Sequence, residues 1–131
     1  MIIVDTTVWV DYLRGTHAPH VEWLEANLTS ERLGLTDLIL CEVLQGVTAD
    51  DQFDSVQEEL LKFEVYETGT VELAIEAATN YRRLRAAGRT VRRTIDCLIE
   101  TFCLIEGYAV LHNDRDYDPF EDVLGLKVVH P

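Results

Sequence analysis

The segment IIVDTTVWVDYL, residues 2–13, changes its residue pattern at Asp5. The three residues before Asp5 are β-branched, which is typical of a short buried strand. After it, Thr6 or Thr7 can cap a helix, and Gly15 is suited to end that helix. The segment therefore predicts a strand that leads directly into a helix, with an aspartate at the carboxyl end of the strand.

The same strand–helix alternation continues along the chain. Further short strands are predicted at RLGLT, FEVYE and YAVLH and over residues 126–129. Helices are predicted over residues 18–29, 37–47, 50–63, 70–87 and 94–107, the last of them capped by Thr94. Short apolar strands separated by helices indicate an α/β fold with a parallel sheet covered on both faces. Without a repeat or a linker, residues 1–131 are expected to form one domain.

The charge is strongly acidic but uneven. A formal net charge of −13 excludes binding of nucleic acid through a generally basic surface. Residues 82–93, RRLRAAGRTVRR, nevertheless hold six arginines and no acid. This arginine strip can bind a polyanion locally, or it can be a solvated helix end whose cations favour the helix C-terminus. Both interpretations stay open.

Nothing in the sequence points to a membrane or an oxidising compartment. No apolar run approaches the roughly 20 residues that span a bilayer, and the N-terminus lacks the basic region of a signal peptide. A cytoplasmic protein is expected. Cys41, Cys97 and Cys103 are odd in number, have no C-x-x-C spacing and lie in apolar segments, so buried reduced thiols are expected.

Four acidic residues are candidates for a functional site. Sites in open α/β sheets form beyond the carboxyl ends of strands, where Asp5 and Asp114 are expected. Glu42 and Asp96 lie in apolar helical segments, where an ionised carboxylate is costly unless it is paired or binds a metal. Lys and Arg are nearly absent close to Asp5 and Glu42 in the sequence, which makes pairing less expected. Oxygen ligands favour Mg²⁺ or Mn²⁺ over zinc.

Each acid also has a purely structural explanation. Asp5 can cap a helix, Glu42 can face solvent, and Asp96 can favour the helix N-terminus. The acids that follow the YAVLH strand can be turn residues: Asp114, Asp116 and Asp118. A calcium loop of the EF-hand type is excluded, because Pro119 and Gly125 stand where that loop needs Gly and Glu.

Taken in order, IIVDTTVWVDYL, TDLILCEVLQG, R…TIDCLIE and AVLHNDRDYDPF resemble the PIN-domain ribonucleases, specifically the VapC-type toxins of bacterial and archaeal toxin–antitoxin pairs. The resemblance covers essentially the whole chain. It implies a three-layer α/β/α sandwich with a mainly parallel central sheet. It also implies a Mg²⁺-dependent endoribonuclease, with Mn²⁺ as an alternative ion, in which metal-activated water hydrolyses the RNA phosphodiester bond to a 5′-phosphate and a 3′-hydroxyl.

The resemblance also assigns site residues. The catalytic acidic quartet of the family falls on Asp5, Glu42, Asp96 and Asp114. Asp116 matches an additional acid, and Thr7 matches a hydroxyl residue that supports the first Asp. Metal binding is expected at Asp5, Asp96, Asp114 and Asp116, with Glu42 acting directly or through water. Because His112 and Asn113 depart from the family pattern, whether Asp114 or Asp116 is the main fourth acid stays open.

The expected partners follow from the same resemblance. They are RNA, a VapB-type antitoxin whose C-terminal tail blocks the site, a second copy in a homodimer, and antitoxin-bound assemblies on operator DNA. Arg85, Arg89 and Arg92 are the expected RNA contacts, with antitoxin or dimer contact as a rival use of the strip. Two other classes are kept: a catalytically weak PIN-fold module that binds antitoxin and regulates its operon, and a phosphatase with Asp5 as nucleophile.

Overall fold

The computed structural model describes all residues, Met1–Pro131. Four strands alternate with seven helices and one 3₁₀ turn. The strands are β1 (Ile2–Val4), β2 (Leu33–Thr36), β3 (Glu64–Tyr66) and β4 (Ala109–Leu111). The helices are α1 (Thr6–Arg14), α2 (Pro19–Asn27), α3 (Asp37–Gln45), α4 (Asp50–Leu60), α5 (Val71–Ala86), α6 (Thr94–Glu106) and α7 (Asp118–Leu124), and the 3₁₀ turn spans Arg115–Tyr117.

The sheet is entirely parallel, with strand order β3-β2-β1-β4. Parallel neighbours need crossover connections, which the helices between successive strands supply. On one side α1 contacts α2 and α3, and α3 contacts α4; on the other, α5 packs against α6 and α7. Helices therefore cover both faces, and the predicted three-layer α/β/α sandwich is confirmed.

A single cluster of 22 buried apolar residues forms the core. It contains side chains of β1, β2 and β4 and the inner faces of the helices. Trp9 is fully buried, and its ring lies 4.8 Å from that of Phe63, the residue before β3. No helix has the length and apolarity that a bilayer-spanning segment requires.

The centre of the sheet is tight at Gly34. A Cβ atom at this position would lie 2.8 Å from the backbone carbonyl oxygen of Glu64 on β3 and 3.1 Å from the sulfur of Met1. The first distance is shorter than a normal contact to a backbone atom that cannot easily move. Glycine is therefore required here for β2 to pair closely with β3.

The predicted threonine caps of α1 and α6 are wrong, whereas the alternative that Asp5 caps a helix is confirmed. Asp5, not Thr6 or Thr7, caps α1: its backbone is extended and its side chain accepts the Thr7 N–H. Arg93, not Thr94, precedes the first helical residue of α6, and its side chain makes no capping bond. In both helices the threonines already have helical backbone conformation.

The C-terminal part and one cysteine also differ from expectation. The acidic segment expected to be a loop forms the 3₁₀ turn and α7. The predicted last strand is reduced to one bridge between Val110 and Val128. Cys97 and Cys103 are buried thiols as expected, but Cys41 is exposed, because it lies on the outer face of α3; all three are free.

Candidate active site

The candidate site lies at the carboxyl edge of the sheet, where β1 meets β4. The chain leaves β1 towards β2 on one side, whereas β4 joins β1 from the other side. Such a point, where the direction of winding changes, leaves a crevice beyond the strand ends. Asp5 directly follows β1, and its N–H donates to the carbonyl oxygen of Leu111 on β4 at 2.9 Å. This bond fixes the acid at the crevice.

The two carboxylate oxygens of Asp5 have different partners, one at the start of α1 and one in the crevice. Its Oδ2 accepts the Thr7 backbone N–H at 3.1 Å and the Thr7 hydroxyl at 2.8 Å. Its Oδ1 accepts the hydroxyl of Tyr117 at 2.8 Å. The side chain is fully buried, and burial raises its pKa from 3.8 to about 6 against the opposing effect of these hydrogen bonds. Asp5 therefore acts as a helix cap and faces the site as well.

Asp96 meets Asp5 through the same hydroxyl. Asp96 is buried in the first turn of α6, and its Oδ1 lies 3.0 Å from the Tyr117 Oη. A phenol carries one hydrogen, so it cannot fully satisfy two carboxylates. Burial and the neighbouring Asp5 and Asp96 raise the pKa of Tyr117. Tyr117 was not predicted as a site residue; its only sequence signal is a hydroxyl-bearing aromatic three residues after Asp114.

Glu42 and Asp96 share a counter-charge, contrary to expectation. The Arg93 guanidinium donates to Glu42 Oε2 at 2.8 Å and to both Asp96 oxygens, at 2.8 and 3.1 Å. Thr6 donates its hydroxyl to the other Glu42 oxygen at 2.7 Å. The Arg93 side chain is 55% exposed, against 9% for Glu42 and 3% for Asp96. The expectation that Glu42 has no basic partner is wrong, because Arg93 reaches it from the solvent side, whereas Asp5 has no ion pair.

Asp114 and Asp116 lie on the adjacent turn. Asp114 Oδ1 accepts the backbone N–H of Asp116 at 2.9 Å and so begins the 3₁₀ turn. Asp116 Oδ1 is 3.7 Å from the Nε of Arg92. Neither carboxylate shares a hydrogen-bond partner with Asp5, Glu42 or Asp96, so three of the four predicted acids are linked, through Tyr117 and Arg93. Asp118, expected to be a turn residue, is the first residue of α7.

His112 stabilises this turn by a hydrogen bond to its backbone. Its Nδ1 accepts the backbone N–H of Asp114 at 3.1 Å. Its ring packs edge-on against Tyr117, with 5.0 Å between ring centroids. Burial lowers the pKa of His112, so the ring is held neutral as an acceptor. The departure from the family pattern at His112 thus places the tyrosine that bridges Asp5 and Asp96.

A sixth acid, not predicted, lies behind the site. Glu100 is fully buried on α6, four residues after Asp96, and neither of its carboxyl oxygens has a hydrogen-bond partner. Burial and the charges of Asp5 and Asp96 raise its pKa well above the ordinary value. A sequence signal did exist, because a glutamate at i+4 from an acid in an apolar helix shares its face. The carboxylate oxygens around the site therefore outnumber the hydrogen-bond donors that reach them.

The donor chemistry fits a hard divalent cation. All candidate ligands are carboxylate oxygens, which Mg²⁺ and Mn²⁺ prefer. No three acidic, histidine or cysteine side chains stand ready at metal-binding geometry. Instead, the Tyr117 hydroxyl contacts Asp5 and Asp96, and the Arg93 guanidinium contacts Asp96 and Glu42. These residues could hold an ion once those contacts are exchanged, and both carboxyl oxygens of Glu100 are without a partner behind them.

The three arginines predicted to contact RNA have different surroundings. Arg85 lies over the ring of Tyr81, with its guanidinium carbon 5.5 Å from the ring centroid. Arg89 donates to Asp122 on α7 at 3.2 Å. The Arg92 side chain is 76% exposed and is near the site through Asp116. The strip therefore extends from the end of α5 to the edge of the acidic crevice.

A groove runs away from the site between α1, α3 and α4. Its volume is about 720 Å³, and Glu42 stands in its wall. The rest of the lining mixes apolar side chains of the three helices with polar ones, among them Val10, Leu13, Val43, Val56, Gln52 and Ser55. An extended segment lying in this groove would therefore reach the site acids.

Comparison with known proteins gives consistent results. The sequence profile of the PIN domain family matches residues 2–123. The chain is 33% identical to a VapC ribonuclease of Mycobacterium bovis and to the ribonuclease VapC11 of Mycobacterium tuberculosis, over 97% of this chain and 96% of each relative. Among solved structures, VapBC2 of Rickettsia felis, bound to promoter DNA, matches with a TM-score of 0.78 and 16% identity, over 98% of both chains. FitAcB of Neisseria gonorrhoeae matches with a TM-score of 0.75 and 18% identity, over 100% of this chain and 98% of that one.

Proposed function

The chain belongs to the PIN-domain family, within its VapC group, and on that premise we propose that it is a metal-dependent endoribonuclease that acts as the toxin of a toxin–antitoxin pair. The observation that carries the proposal is the meeting of Asp5, Glu42 and Asp96, from three separate elements, at one crevice of the sheet edge. The full-length similarity to proteins named as ribonucleases supports the reaction class.

The roles of the acids follow from their contacts. Asp5 and Asp96 would hold the ion, because their Oδ1 atoms converge on one point, now held by the Tyr117 hydroxyl. Thr7 orients Asp5 through two hydrogen bonds. Mg²⁺ or Mn²⁺ would supply Lewis-acid stabilisation of the phosphate and activation of a water nucleophile. Glu42 would act directly or through water, and Asp114 and Asp116 would complete the site from the adjacent turn.

Arg93 also has a role in this proposal, as the counter-charge of two site acids, which was not predicted from the sequence. In the structure it neutralises Glu42 and Asp96, so an incoming cation would displace its guanidinium. Its side chain is more than half exposed, which leaves it free to turn towards solvent. A guanidinium released at this position would bind a phosphate oxygen of RNA by a charge-assisted hydrogen bond.

The assignment of Asp5 is tested by Asp5→Asn, with Asp118→Asn as the matched control. Both replace an aspartate near the carboxyl edge of the sheet, but Asp118 begins α7 and makes no contact with the other acids. We expect Asp5→Asn to remain folded and to lose RNA cleavage, and Asp118→Asn to cleave at close to the wild-type rate. Wild-type cleavage by Asp5→Asn would remove Asp5 from the proposal.

RNA contact by the arginine strip is tested by charge reversal at two of Arg85, Arg89 and Arg92. Lys127→Glu is the control, because Lys127 is an exposed cation outside the strip. Loss of phosphate contacts should weaken RNA binding and flatten its dependence on salt concentration. An unchanged salt slope in the strip variant would favour antitoxin or dimer contact instead.

We propose a small VapB-type antitoxin as the protein partner. Support comes from solved neighbours described as VapBC complexes and a toxin–antitoxin complex, and from the groove that leads to Glu42. A homodimer, assemblies with antitoxin on operator DNA and a cytoplasmic location belong to the same proposal. Copurification with the product of an adjacent reading frame, followed by light scattering, would test the partner and the stoichiometry.

A catalytically weak binding module is the second candidate. The observation in its favour is that Arg93 and Tyr117 already hold the acids, which gives a closed site without a metal. Such a module would bind antitoxin but cleave no RNA at any Mg²⁺ concentration. A phosphatase is disfavoured, since the two lysines lie elsewhere: Lys62 pairs with Glu59 at the end of α4, and Lys127 lies near the C-terminus.

A further inference from the structure

Glu100 is a buried titratable residue to which the proposed function assigns no role. Its side chain is completely buried, and both carboxyl oxygens lack a partner. Leaving a buried polar group unpaired costs on the order of 1–3 kcal/mol, and more for a charged one. Protonation does not remove the problem, because a carboxylic acid still has one donor and acceptor oxygens to satisfy. The fold therefore carries a cost here that no contact within the chain offsets.

The direction of the side chain is set by the helix. Residues four apart on an α-helix lie on the same face, so Glu100 stands one turn below Asp96. The charges of Asp5 and Asp96 act on Glu100, and Glu100 in turn acts on Tyr117, whose hydroxyl contacts both of these acids. The thiols of Cys97 and Cys103 are its other titratable neighbours. None of these groups supplies a positive charge to Glu100.

Arg93 does not fill this need. Its guanidinium binds Asp96 and Glu42 from the solvent side, whereas Glu100 lies on the core side of the same acids. A cation held between Asp5 and Asp96 would offset the two charges that act on Glu100. That is the point now held by the Tyr117 hydroxyl.

We propose that Glu100 is a further carboxylate of the divalent-cation site, placed on the core side of the acids already assigned and supporting an ion held by Asp5 and Asp96. This inference rests on the proposed metal-dependent function and adds a residue to it. Glu100 would either bind the ion or hold the ligands around it. In both cases its removal lowers cation affinity, because an acid that supports a metal site raises the affinity of its ligands.

The test is calorimetric titration of the metal-stripped full chain with Mn²⁺ alone. Wild type is compared with Glu100→Gln, which keeps the shape and removes the charge. The control is Thr101→Val, the next residue of α6. Thr101 is also fully buried, and its hydroxyl accepts a hydrogen bond from Asn80 at 3.1 Å, but it does not face the acids. We expect Glu100→Gln to raise the dissociation constant of Mn²⁺ by about 10–100-fold, and Thr101→Val to leave it unchanged.

Thermal unfolding separates a metal role from a structural one. If Glu100 serves the ion, Glu100→Gln in EDTA should be at least as stable as wild type, whereas wild type should gain more on addition of Mn²⁺. Thr101→Val should lose stability equally with and without Mn²⁺. Glu100→Ala provides a second variant for the affinity comparison.

Each outcome bears on one claim. Equal Mn²⁺ affinity of wild type and Glu100→Gln would overturn the role of Glu100 and leave the proposed nuclease intact. Failure of Glu100→Gln and Glu100→Ala to fold in EDTA would also overturn it, because Glu100 would then be needed by the fold itself. Absence of Mn²⁺ and Mg²⁺ binding by wild type would instead contradict the metal dependence on which the inference rests.

Discussion

Tyr117 offers a sharp test of the way the site is held together without metal. Its hydroxyl lies 2.8 Å from Asp5 and 3.0 Å from Asp96, and it is the only group that contacts both acids. Tyr117→Phe removes one oxygen atom and leaves the buried ring and its packing against His112 in place. Any change in stability therefore reports on the hydroxyl rather than on a cavity.

The magnitude follows from the contacts. A hydrogen bond to a charged group contributes about 1.5–3 kcal/mol. The single hydroxyl hydrogen is shared by two carboxylates, so we count one such bond. We expect Tyr117→Phe to lower the free energy of unfolding by about 2 kcal/mol at pH 7 in EDTA. For a domain of this size, that corresponds to a fall in melting temperature of roughly 6–10 °C.

Urea unfolding followed by circular dichroism is the assay, and Tyr12→Phe is the matched control. Tyr12 packs edge-on against Trp9, with 6.1 Å between ring centroids, and its hydroxyl bonds to none of the acids. The control should stay within about 0.5 kcal/mol of wild type. With saturating Mg²⁺ the deficit of Tyr117→Phe should shrink, because the ion would then balance both carboxylates. A Tyr117→Phe variant as stable as the Tyr12→Phe control in EDTA would refute the bridging role.

Three further predictions concern the same site and the sheet beneath it. The raised pKa of Asp5 means that the folded state holds this proton more tightly than the unfolded state. The resulting stabilisation, about 3 kcal/mol, is complete below pH 4 and is lost as pH rises through about 6. In EDTA, the free energy of unfolding of Asp5→Asn should therefore depend less on pH than that of wild type. An equal dependence on pH in the two proteins would contradict the raised pKa. Arg93→Gln removes the cation that competes for Glu42 and Asp96, so calorimetry should show tighter Mg²⁺ binding, whereas weaker binding would mean that Arg93 supports the metal site. Gly34→Ala should cost about 1–3 kcal/mol in urea unfolding, because its Cβ meets a carbonyl oxygen at 2.8 Å, and an unchanged midpoint would show that the strands can separate.

The fold was predictable because its signals are local. Residue pattern marks each strand and helix, and the rule for parallel sheets then places strand-end acids at one edge. The same local signals failed where one residue decides the result: Asp5 and Arg93 precede their helices, although neighbouring threonines also suit a cap. They also missed α7, whose start at Asp118 and Pro119 was interpreted as a turn.

The site was predictable only in part, because its contacts join distant positions. Arg93 and Glu42 are 51 residues apart, and Tyr117 and Asp5 are 112 apart. Sequence proximity suggested that Glu42 had no counter-charge, whereas the fold brings Arg93 to it. Glu100 was missed because an acid in an apolar helix gives no sign of whether its oxygens find partners.

The most direct test of the account is cleavage of total cellular RNA by purified, antitoxin-free protein. The reactions contain Mg²⁺ or EDTA, and wild type is compared with Asp96→Asn. The account predicts cleavage by wild type with Mg²⁺, and none in EDTA or by the folded variant. Equal cleavage in EDTA, or by Asp96→Asn, would contradict a metal-dependent site built on these acids, and absence of cleavage by folded wild type would favour the binding module.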